Sequence, residues 1–304
     1  MRTVFVKNLE KLMGRDERIV LLTADLGYSI LNPIFEKFPQ RAINVGVAEE
    51  NMAGMATGMA RSGLIPFIYS IATFASMRGY EFIRNGAVVH ELPVRVVGIG
   101  GGFEYGSLGI SHYALEDFAI MRAQPGMTVI APVDSMQVAT ALEKSWNLPG
   151  PVYYRIGKSN KPPILGLNGE FRLGKLEVLS DKGEIAFLAT GGILSEALEA
   201  TQILREEGIE CRLGAVACLS PAPFKDIKQF LNGVNHVFTV ESHYITGGLG
   251  TLVAELIAEK KIPCQLHRAA VRTVPDTFSG SQEFMEKFYG LDTASLIRGV
   301  HNLN

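Results

Sequence analysis

Residues 44–60 read NVGVAEENMAGMATGMA: a short apolar run, two carboxylates, and then a segment made almost entirely of alanine, glycine and methionine. After Glu50 no charged side chain occurs until Arg61, whereas a helix on the surface of a globular protein normally carries a charged face. The pattern therefore predicts a short strand, a turn, and a helix over Glu49–Arg61 that is buried on all sides.

Two glycines, Gly54 and Gly58, lie four residues apart in this predicted helix. Each costs about 1 kcal/mol relative to alanine in a helix interior, so a compensating contact is expected. Another backbone can approach closely along the face that the two glycines share. We therefore expect this helix to pack against a second subunit.

The two carboxylates, Glu49 and Glu50, begin the helix, where the positive end of the helix dipole stabilises negative charge. A solvated pair of glutamates is the plain interpretation of such a position. The apolar surroundings indicate instead that at least one is buried, and a buried carboxyl is a candidate for proton chemistry. A single buried glutamate does not name a reaction.

Length and composition exclude several classes of protein. The chain has 304 residues, 47% of them apolar, which is enough for two hydrophobic cores. A net charge of −2 gives no electrostatic reason to bind nucleic acid or an anionic membrane. The three cysteines lack pairing or metal spacing and are expected to be reduced. With no apolar run of membrane-spanning length and no signal-peptide pattern at the N-terminus, the sequence predicts a cytoplasmic protein.

Short apolar runs alternate with helical patterns along the chain, and a breaker-rich segment interrupts them near the middle. Strands that are apolar throughout and separated by helices indicate parallel sheets covered on both faces. The sequence therefore predicts an α/β protein of two consecutive domains with mainly parallel sheets flanked by helices. The first domain is predicted over residues 1–165, a linker over 166–182 and the second domain over 183–304.

Ligands on parallel sheets bind outside the carboxyl ends of the strands. The glycine-rich loop Gly98–Gly109 follows a predicted strand but lacks a complete phosphate-loop or dinucleotide pattern. We interpret it as a loop that lets a ligand approach the backbone, and we expect His112, just beyond it, to contact that ligand.

Other patterns have two interpretations or none. Phe74, Met77 and Tyr80 recur at helical spacing within or beside a helix predicted over Ser76–His90, which is typical of a core face. The run Glu241–Tyr244 is likewise open between core and site. The sequence shows neither the nucleophile elbow of a hydrolase nor the clustered spacing of metal-binding histidines, so no metal ligand is predicted in this chain.

An ordered set of motifs along the whole chain resembles the transketolases and, more narrowly, the C-terminal subunit of a split transketolase. The motifs are Thr23-Ala24-Asp25-Leu26, Gly46-Val47-Ala48-Glu49, Tyr69-Ser70 with Thr73-Phe74, Ser111-His112, Gly150-Pro151, and Glu241-Ser242-His243 before Gly247-Gly248-Leu249-Gly250. The resemblance implies a thiamine-diphosphate-binding pyrimidine domain followed by a transketolase C-terminal domain.

The resemblance also implies roles for individual residues. Glu49 falls on the family's catalytic glutamate, which hydrogen-bonds the aminopyrimidine of thiamine diphosphate and so promotes loss of the thiazolium proton. His112 falls on a second catalytic residue, which contacts oxygen atoms of the ketose donor. The implied cofactor-binding residues are Glu49, Phe74, Met77, Tyr80 and Asp25. The implied substrate-binding residues are Arg2, Ser29, His112 and Lys158.

Three positions depart from the family pattern. Leu108 stands where typical members carry an aspartate that binds a substrate hydroxyl, Gly100 replaces a histidine, and Met77 replaces an aromatic residue. The sequence therefore does not identify the natural donor and acceptor, and sugar-modifying or 2-oxo-acid donors remain open.

The family's diphosphate- and metal-binding motif, Gly-Asp-Gly followed by asparagine, does not occur in this sequence. The resemblance therefore implies an N-terminal transketolase-type partner subunit that brings Mg²⁺ or Ca²⁺, in an α2β2 assembly or around a homodimer core. Two alternatives remain: the β subunit of a 2-oxo-acid dehydrogenase first component, and a non-catalytic regulatory chain. The phosphate-binding set and His112 favour transketolase over the first alternative, and Glu49 argues against the second, which Leu108 keeps open.

Overall fold

The strands form two mainly parallel sheets in the computed structural model, which describes residues 1–275 and 278–303. Residues 276–277 and 304 fall in the predicted second domain and lie outside the described residues. The strands are β1 (Ile19–Thr23), β2 (Ala42–Asn44), β3 (Ile65–Ile71), β4 (Arg95–Ile99), β5 (Thr128–Ile130), β6 (Val152–Ile156), β7 (Glu177–Ser180), β8 (Ile185–Ala189), β9 (Cys211–Ala215), β10 (Cys218–Ser220), β11 (His236–Tyr244) and β12 (Gln265–Val271). The helices are α1 (Arg2–Arg15), α2 (Asn32–Lys37), α3 (Glu49–Arg61), α4 (Tyr80–Phe82), α5 (Asp117–Arg122), α6 (Ser135–Ser145), α7 (Leu194–Glu206), α8 (Phe224–Phe230), α9 (Leu249–Lys260), α10 (Gln282–Phe288) and α11 (Thr293–His301).

The first sheet has the strand order β10-β5-β6-β4-β3-β1-β2, and the second has the order β12-β11-β8-β9-β7. Strands β1, β3, β4 and β6 are buried at every position, as expected for parallel strands covered on both faces. Within the described residues only β10 and β7 pair antiparallel, with β5 and β9. The predicted α/β architecture of two mainly parallel sheets is confirmed.

Helices cover both faces of the first sheet. Phe67 of β3 packs into a cluster with residues of α1 and α6, whereas its neighbour Ile68 packs into a second cluster with Met52 and Ala56 of α3. The second cluster continues to Leu249 and other residues of α9. The two sheets are therefore connected by one shared apolar cluster.

Two strands lie where the sequence did not predict them. Strand β7 falls inside the predicted linker 166–182 and forms the antiparallel edge of the second sheet. Strand β10 lies within 183–304 but extends the first sheet. Both are three or four residues long at sheet edges, and so short a run carries too little pattern to identify a strand.

Two local predictions were wrong. The segment predicted as one helix over Ser76–His90 is π-helical at Phe74–Arg78 and Ile83–Val88, on either side of α4. Helix α3 is not buried on all sides, because Gly54 and Gly58 are exposed. The described residues cover only one face of α3, so its glycine face is open in the single chain.

Candidate active site

The turn into α3 is tied to the loop after β1. The amide oxygen of Asn44 accepts hydrogen bonds from the backbone N–H groups of Asp25 and Gly46, both at 3.0 Å. Its amide nitrogen donates to the Asp25 carboxylate at 2.9 Å. Gly46 has φ +76°, which glycine adopts without strain. Asp25 therefore holds the turn from which Glu49 enters the site.

Glu49 is buried, as predicted for at least one of the two glutamates, and its side chain is only 3% exposed. The Ser70 hydroxyl donates to Oε1 at 3.0 Å, and Nη1 of Arg78 donates to Oε2 at 3.1 Å. Both carboxylate oxygens thus accept a hydrogen bond within the chain. The sequence analysis missed Arg78, because one arginine in a helical pattern is normally a solvated charge.

Arg78 also covers the ring of Phe74, with its guanidinium carbon 3.8 Å from the ring centroid. Phe74 and Arg78 lie four positions apart in a π-helical stretch, and side chains at this spacing lie near one another on a helix. Such π-helical turns occur frequently at functional sites. One guanidinium therefore lies against both Glu49 and Phe74.

The other two residues of the expected aromatic wall do not line this space in the same way. Met77 is 47% exposed, and its sulfur contacts the Thr73 hydroxyl at 3.4 Å. The Tyr80 hydroxyl donates to the Ile120 carbonyl at 3.0 Å and accepts from the Gln124 amide. Helical spacing placed both beside Phe74, and the π-helical winding shifts them from that face.

His112 also packs against Phe74. The two ring centroids are 5.2 Å apart in an edge-on arrangement, and the His112 Nδ1 atom is 3.0 Å from the Ser111 hydroxyl. Tyr105 follows, 6.3 Å from His112 between centroids. Contacts thus run from Glu49 through Arg78, Phe74 and His112 to Tyr105.

Tyr105, which the sequence analysis also missed, explains Gly100. A Cβ atom at position 100 would overlap the Tyr105 ring, and Gly100 has φ +76°. The loop therefore requires glycine where the resemblance led us to expect histidine. The sequence signal that could have identified this contact is a tyrosine five residues after Gly100 in the same loop.

Two cations lie around Tyr105. The Lys158 Nζ atom is 4.4 Å from the centroid of its ring. Burial raises the pKa of the Tyr105 hydroxyl, and the charge of Arg2 and a hydrogen bond from its side chain oppose that rise. Burial also raises the pKa of the Tyr69 hydroxyl, against the charge of Arg2. We call Arg2, Tyr69, Tyr105 and Lys158 the cationic recess.

The recess has unused hydrogen-bonding capacity. Within the described residues, Arg2 Nε and the Tyr69 hydroxyl are buried without a hydrogen-bond partner. Burying such groups unpaired is costly, so a polar ligand would be stabilised there. Ser29 lies in the exposed loop after β1, with φ +63°, and the described contacts do not bring it into the recess.

The run Glu241–Tyr244, which the sequence left open, joins the two domains. The Glu241 carboxylate accepts from the N–H groups of Leu249 and Gly250, each at 2.7 Å, at the start of α9. His243 stacks on Phe118 and accepts a hydrogen bond at Nε2 from the backbone N–H of Ala119. These contacts are structural.

Burial perturbs both titratable groups of this run. It raises the pKa of Glu241 to about 7 and lowers that of His243 to about 4. The His243 Nδ1 atom is 2.7 Å from the Tyr244 carbonyl, and it donates because Nε2 accepts. The imidazole is therefore held neutral in one tautomer.

The site fits one part of a cofactor better than a metal. The space between Phe74 and Glu49 already accommodates a flat, hydrogen-bond-donating group, the Arg78 guanidinium. A planar heterocycle with a donor or acceptor nitrogen can make the same two contacts, stacking on Phe74 and a hydrogen bond to Glu49. In the part of the chain that the structure describes, no group of three or more His, Cys, Asp or Glu side chains could hold a metal ion.

Comparisons with known proteins cover nearly the whole chain. The family model for the transketolase pyrimidine-binding domain matches residues 1–163, and the model for the transketolase C-terminal domain matches residues 174–296. The described helices include none long and apolar enough to cross a membrane.

Individual relatives agree with the family models. A putative transketolase C-terminal section of Methanocaldococcus jannaschii is 38% identical, over 99% of this chain and 95% of its own length. A 6-deoxy-6-sulfo-D-fructose transketolase subunit of Clostridium sp. strain MSTE9 is 35% identical, over 100% and 94%. A solved structure described as a split gene transketolase, inactive beta4 tetramer, superposes with a TM-score of 0.89 at 33% identity, covering 99% of this chain and 97% of that one.

Proposed function

The chain belongs to the transketolase family, and from this we propose that it is the C-terminal subunit of a thiamine-diphosphate-dependent transketolase. It transfers a two-carbon ketol unit from a ketose donor to an aldehyde acceptor. The observation that carries the proposal is that one flat donor group, the Arg78 guanidinium, both lies over the ring of Phe74 and hydrogen-bonds the buried Glu49 carboxylate, as an aminopyrimidine ring would.

Each residue of the site has a part in this reaction. When bound, thiamine diphosphate supplies the carbon nucleophile and the electron sink. Glu49 exchanges a proton with a nitrogen of the aminopyrimidine ring, and Phe74 stacks on the same ring. His112, beside Phe74, donates hydrogen bonds to the oxygen atoms of the donor sugar.

The other predicted residues support these groups. Asp25 holds the turn before Glu49 through Asn44. Met77 and Tyr80 flank Phe74 on the same segment, and we assign them to the outer border of the cofactor space, where Met77 is exposed. We assign Ser29, in the exposed loop after β1, to the substrate end of the site.

The cationic recess binds the anionic end of the substrate. Lys158 and Arg2 supply positive charge, and Arg2 Nε and the Tyr69 hydroxyl are free to bind oxygen atoms. Two relatives are named for sugars with a terminal or near-terminal anion, 6-deoxy-6-sulfo-D-fructose and apulose 4-phosphate. We therefore assign a sugar phosphate or sulfonate to this end of the site.

A second polypeptide completes the enzyme. Because the family's Gly-Asp-Gly motif does not occur in this sequence, we assign the diphosphate and its Mg²⁺ or Ca²⁺ to the partner, an N-terminal transketolase-type subunit. The exposed glycine face of α3 is available for contact between subunits in an α2β2 assembly. The three free cysteines agree with a reducing, cytoplasmic setting. The relatives described above carry transketolase names, which does not favour a 2-oxo-acid dehydrogenase component or a regulatory chain.

The test is reconstitution. The purified chain is mixed with the N-terminal transketolase-type subunit of the same genome, thiamine diphosphate and Mg²⁺, and assayed with hydroxypyruvate and an aldehyde. We expect a ketose product from the mixture and none from either subunit alone. Turnover only with pyruvate and an electron acceptor, or no cofactor binding by the mixture, would contradict the proposal.

A further inference from the structure

Arg78 makes two contacts that a cofactor ring also requires. Its Nη1 atom donates to Glu49 at 3.1 Å, and its guanidinium lies 3.8 Å from the Phe74 centroid. The guanidinium is planar and donates hydrogen bonds in its plane. It therefore matches the shape and the polarity of an aminopyrimidine edge.

Both groups cannot occupy this space together. A ring stacked on Phe74 and hydrogen-bonded to Glu49 would overlap the guanidinium. We propose that Arg78 is a placeholder that fills the aminopyrimidine position in the unloaded subunit and must move aside when the cofactor enters. This inference rests on the proposed function, since it concerns the same pocket.

In the absence of cofactor, Arg78 stabilises the buried Glu49 carboxylate. Glu49 is almost completely buried, and a buried carboxylate without a partner is strongly destabilising. Ser70 donates to one oxygen only, so Arg78 supplies the positive charge that the second oxygen lacks. The Arg78 guanidinium thereby occupies the space beside Phe74 and Glu49.

Arg78 is also able to leave. Its side chain is 44% exposed, so the guanidinium can rotate into solvent without opening the core. Within the described residues, the Arg78 side chain donates one hydrogen bond, to Glu49. Exposed ion pairs and cation–π contacts are weak. Displacing Arg78 from Glu49 and Phe74 therefore lowers the affinity for the cofactor only modestly.

The alternative is that Arg78 stays and binds the loaded cofactor, and the two cases predict opposite effects of its removal. If Arg78 competes, Arg78→Met tightens cofactor binding by about three- to tenfold. If Arg78 binds the cofactor, the same change weakens binding. Arg84→Met is the matched control, because Arg84 lies on the same segment, is exposed and, within the described residues, its side chain hydrogen-bonds Asn85 and contacts neither Glu49 nor Phe74.

The experiment measures the dissociation constant of thiamine diphosphate by calorimetry, with Mg²⁺, on the reconstituted two-subunit complex. We expect a lower constant for Arg78→Met and a constant within twofold of the wild type for Arg84→Met. An unchanged or higher constant for Arg78→Met overturns the inference. A wild-type complex that binds no thiamine diphosphate instead overturns the proposed function, and the inference with it.

A second measurement needs no variant. In a structure of the wild-type complex loaded with thiamine diphosphate, we expect the guanidinium of Arg78 away from Phe74 and the Glu49 carboxylate facing the ring. A guanidinium still stacked on Phe74 in the loaded complex overturns the inference, whatever the activity of the preparation.

Discussion

Glu49 and Arg78 form an ion pair, 3.1 Å between Oε2 and Nη1, in which the carboxylate is 3% exposed and the guanidinium side chain 44%. The buried acid is thus neutralised by a residue that can be reached from solvent. Because only Arg78 is exposed, the two side chains can separate: the guanidinium can move into water while the Glu49 carboxylate hydrogen-bonds a ligand.

The cationic recess predicts a selective effect of Lys158 on substrate. Lys158→Met removes one cation from the recess, and a hydrogen bond to a charged group contributes about 1.5–3 kcal/mol. We expect the KM for a phosphate-bearing aldehyde acceptor to rise about tenfold, with kcat nearly unchanged. The KM for uncharged glycolaldehyde should stay within twofold.

Lys182→Met, a change of the same kind at an exposed position outside the recess, serves as the control and should leave both KM values unchanged. Equal losses for the charged and uncharged acceptors in Lys158→Met would show that Lys158 does not bind the anion.

The open face of α3 predicts a defect in assembly without a defect in folding. Apart from the backbone of its own helix and its two chain neighbours, no described atom lies within 4 Å of a Cβ built on Gly58, so Gly58→Leu fits the single chain. Its melting temperature should be equal or higher, because leucine favours a helix by nearly 1 kcal/mol over glycine. In sedimentation velocity we expect the assembled species to be lost.

Gly14→Leu provides the comparison, since Gly14 is an exposed glycine of α1. That variant should assemble like the wild type. Normal assembly of Gly58→Leu would remove the assignment of this face to a subunit contact.

The neutral state of His243 predicts a pH dependence of stability. Its pKa is lowered by burial from 6.5 to about 4, so between these values the unfolded chain binds a proton that the folded chain does not. Acidification therefore destabilises the fold through this group, by about 2 kcal/mol between pH 7 and pH 5.

Two carboxyls act in the opposite direction. Burial raises the pKa of Glu241 and of Glu286 to about 7, so the folded chain retains their protons and gains stability as the pH falls through the same window. The Glu286 effect cancels in a comparison of the wild type with His243→Asn. Glu241 lies 4.0 Å from His243, so the comparison is made in a Glu241→Gln background, which removes its titration. Urea unfolding at pH 7 and pH 5 should show the stability difference shrinking by about 2 kcal/mol, and a difference independent of pH would contradict the assignment.

The parallel sheets and the helix after Glu49 could be predicted because each rests on a long run of one pattern. Strands such as β3, apolar at nearly every position and buried throughout, leave little ambiguity. The burial of Glu49 followed from its apolar neighbours. Edge strands β7 and β10 could not be predicted, since each is only three or four residues long and carries too little pattern.

The site was harder to predict than the fold. Phe74 and His112 were identified from motif order, and the structure brings them into contact. Arg78 was missed because a partly exposed arginine in a helical pattern is normally a solvated charge. Tyr105 was missed because its position depends on the space above Gly100, which the sequence pattern does not reveal.

The most direct test of the account is the proton that Glu49 exchanges with the cofactor. In the reconstituted complex, the rate at which the thiazolium C2 proton of bound thiamine diphosphate exchanges with deuterium is measured for the wild type and for Glu49→Gln. We predict a rate lower by about 10²- to 10⁴-fold in the variant, with assembly intact. Exchange at nearly the wild-type rate in an assembled, cofactor-loaded variant would contradict the central claim.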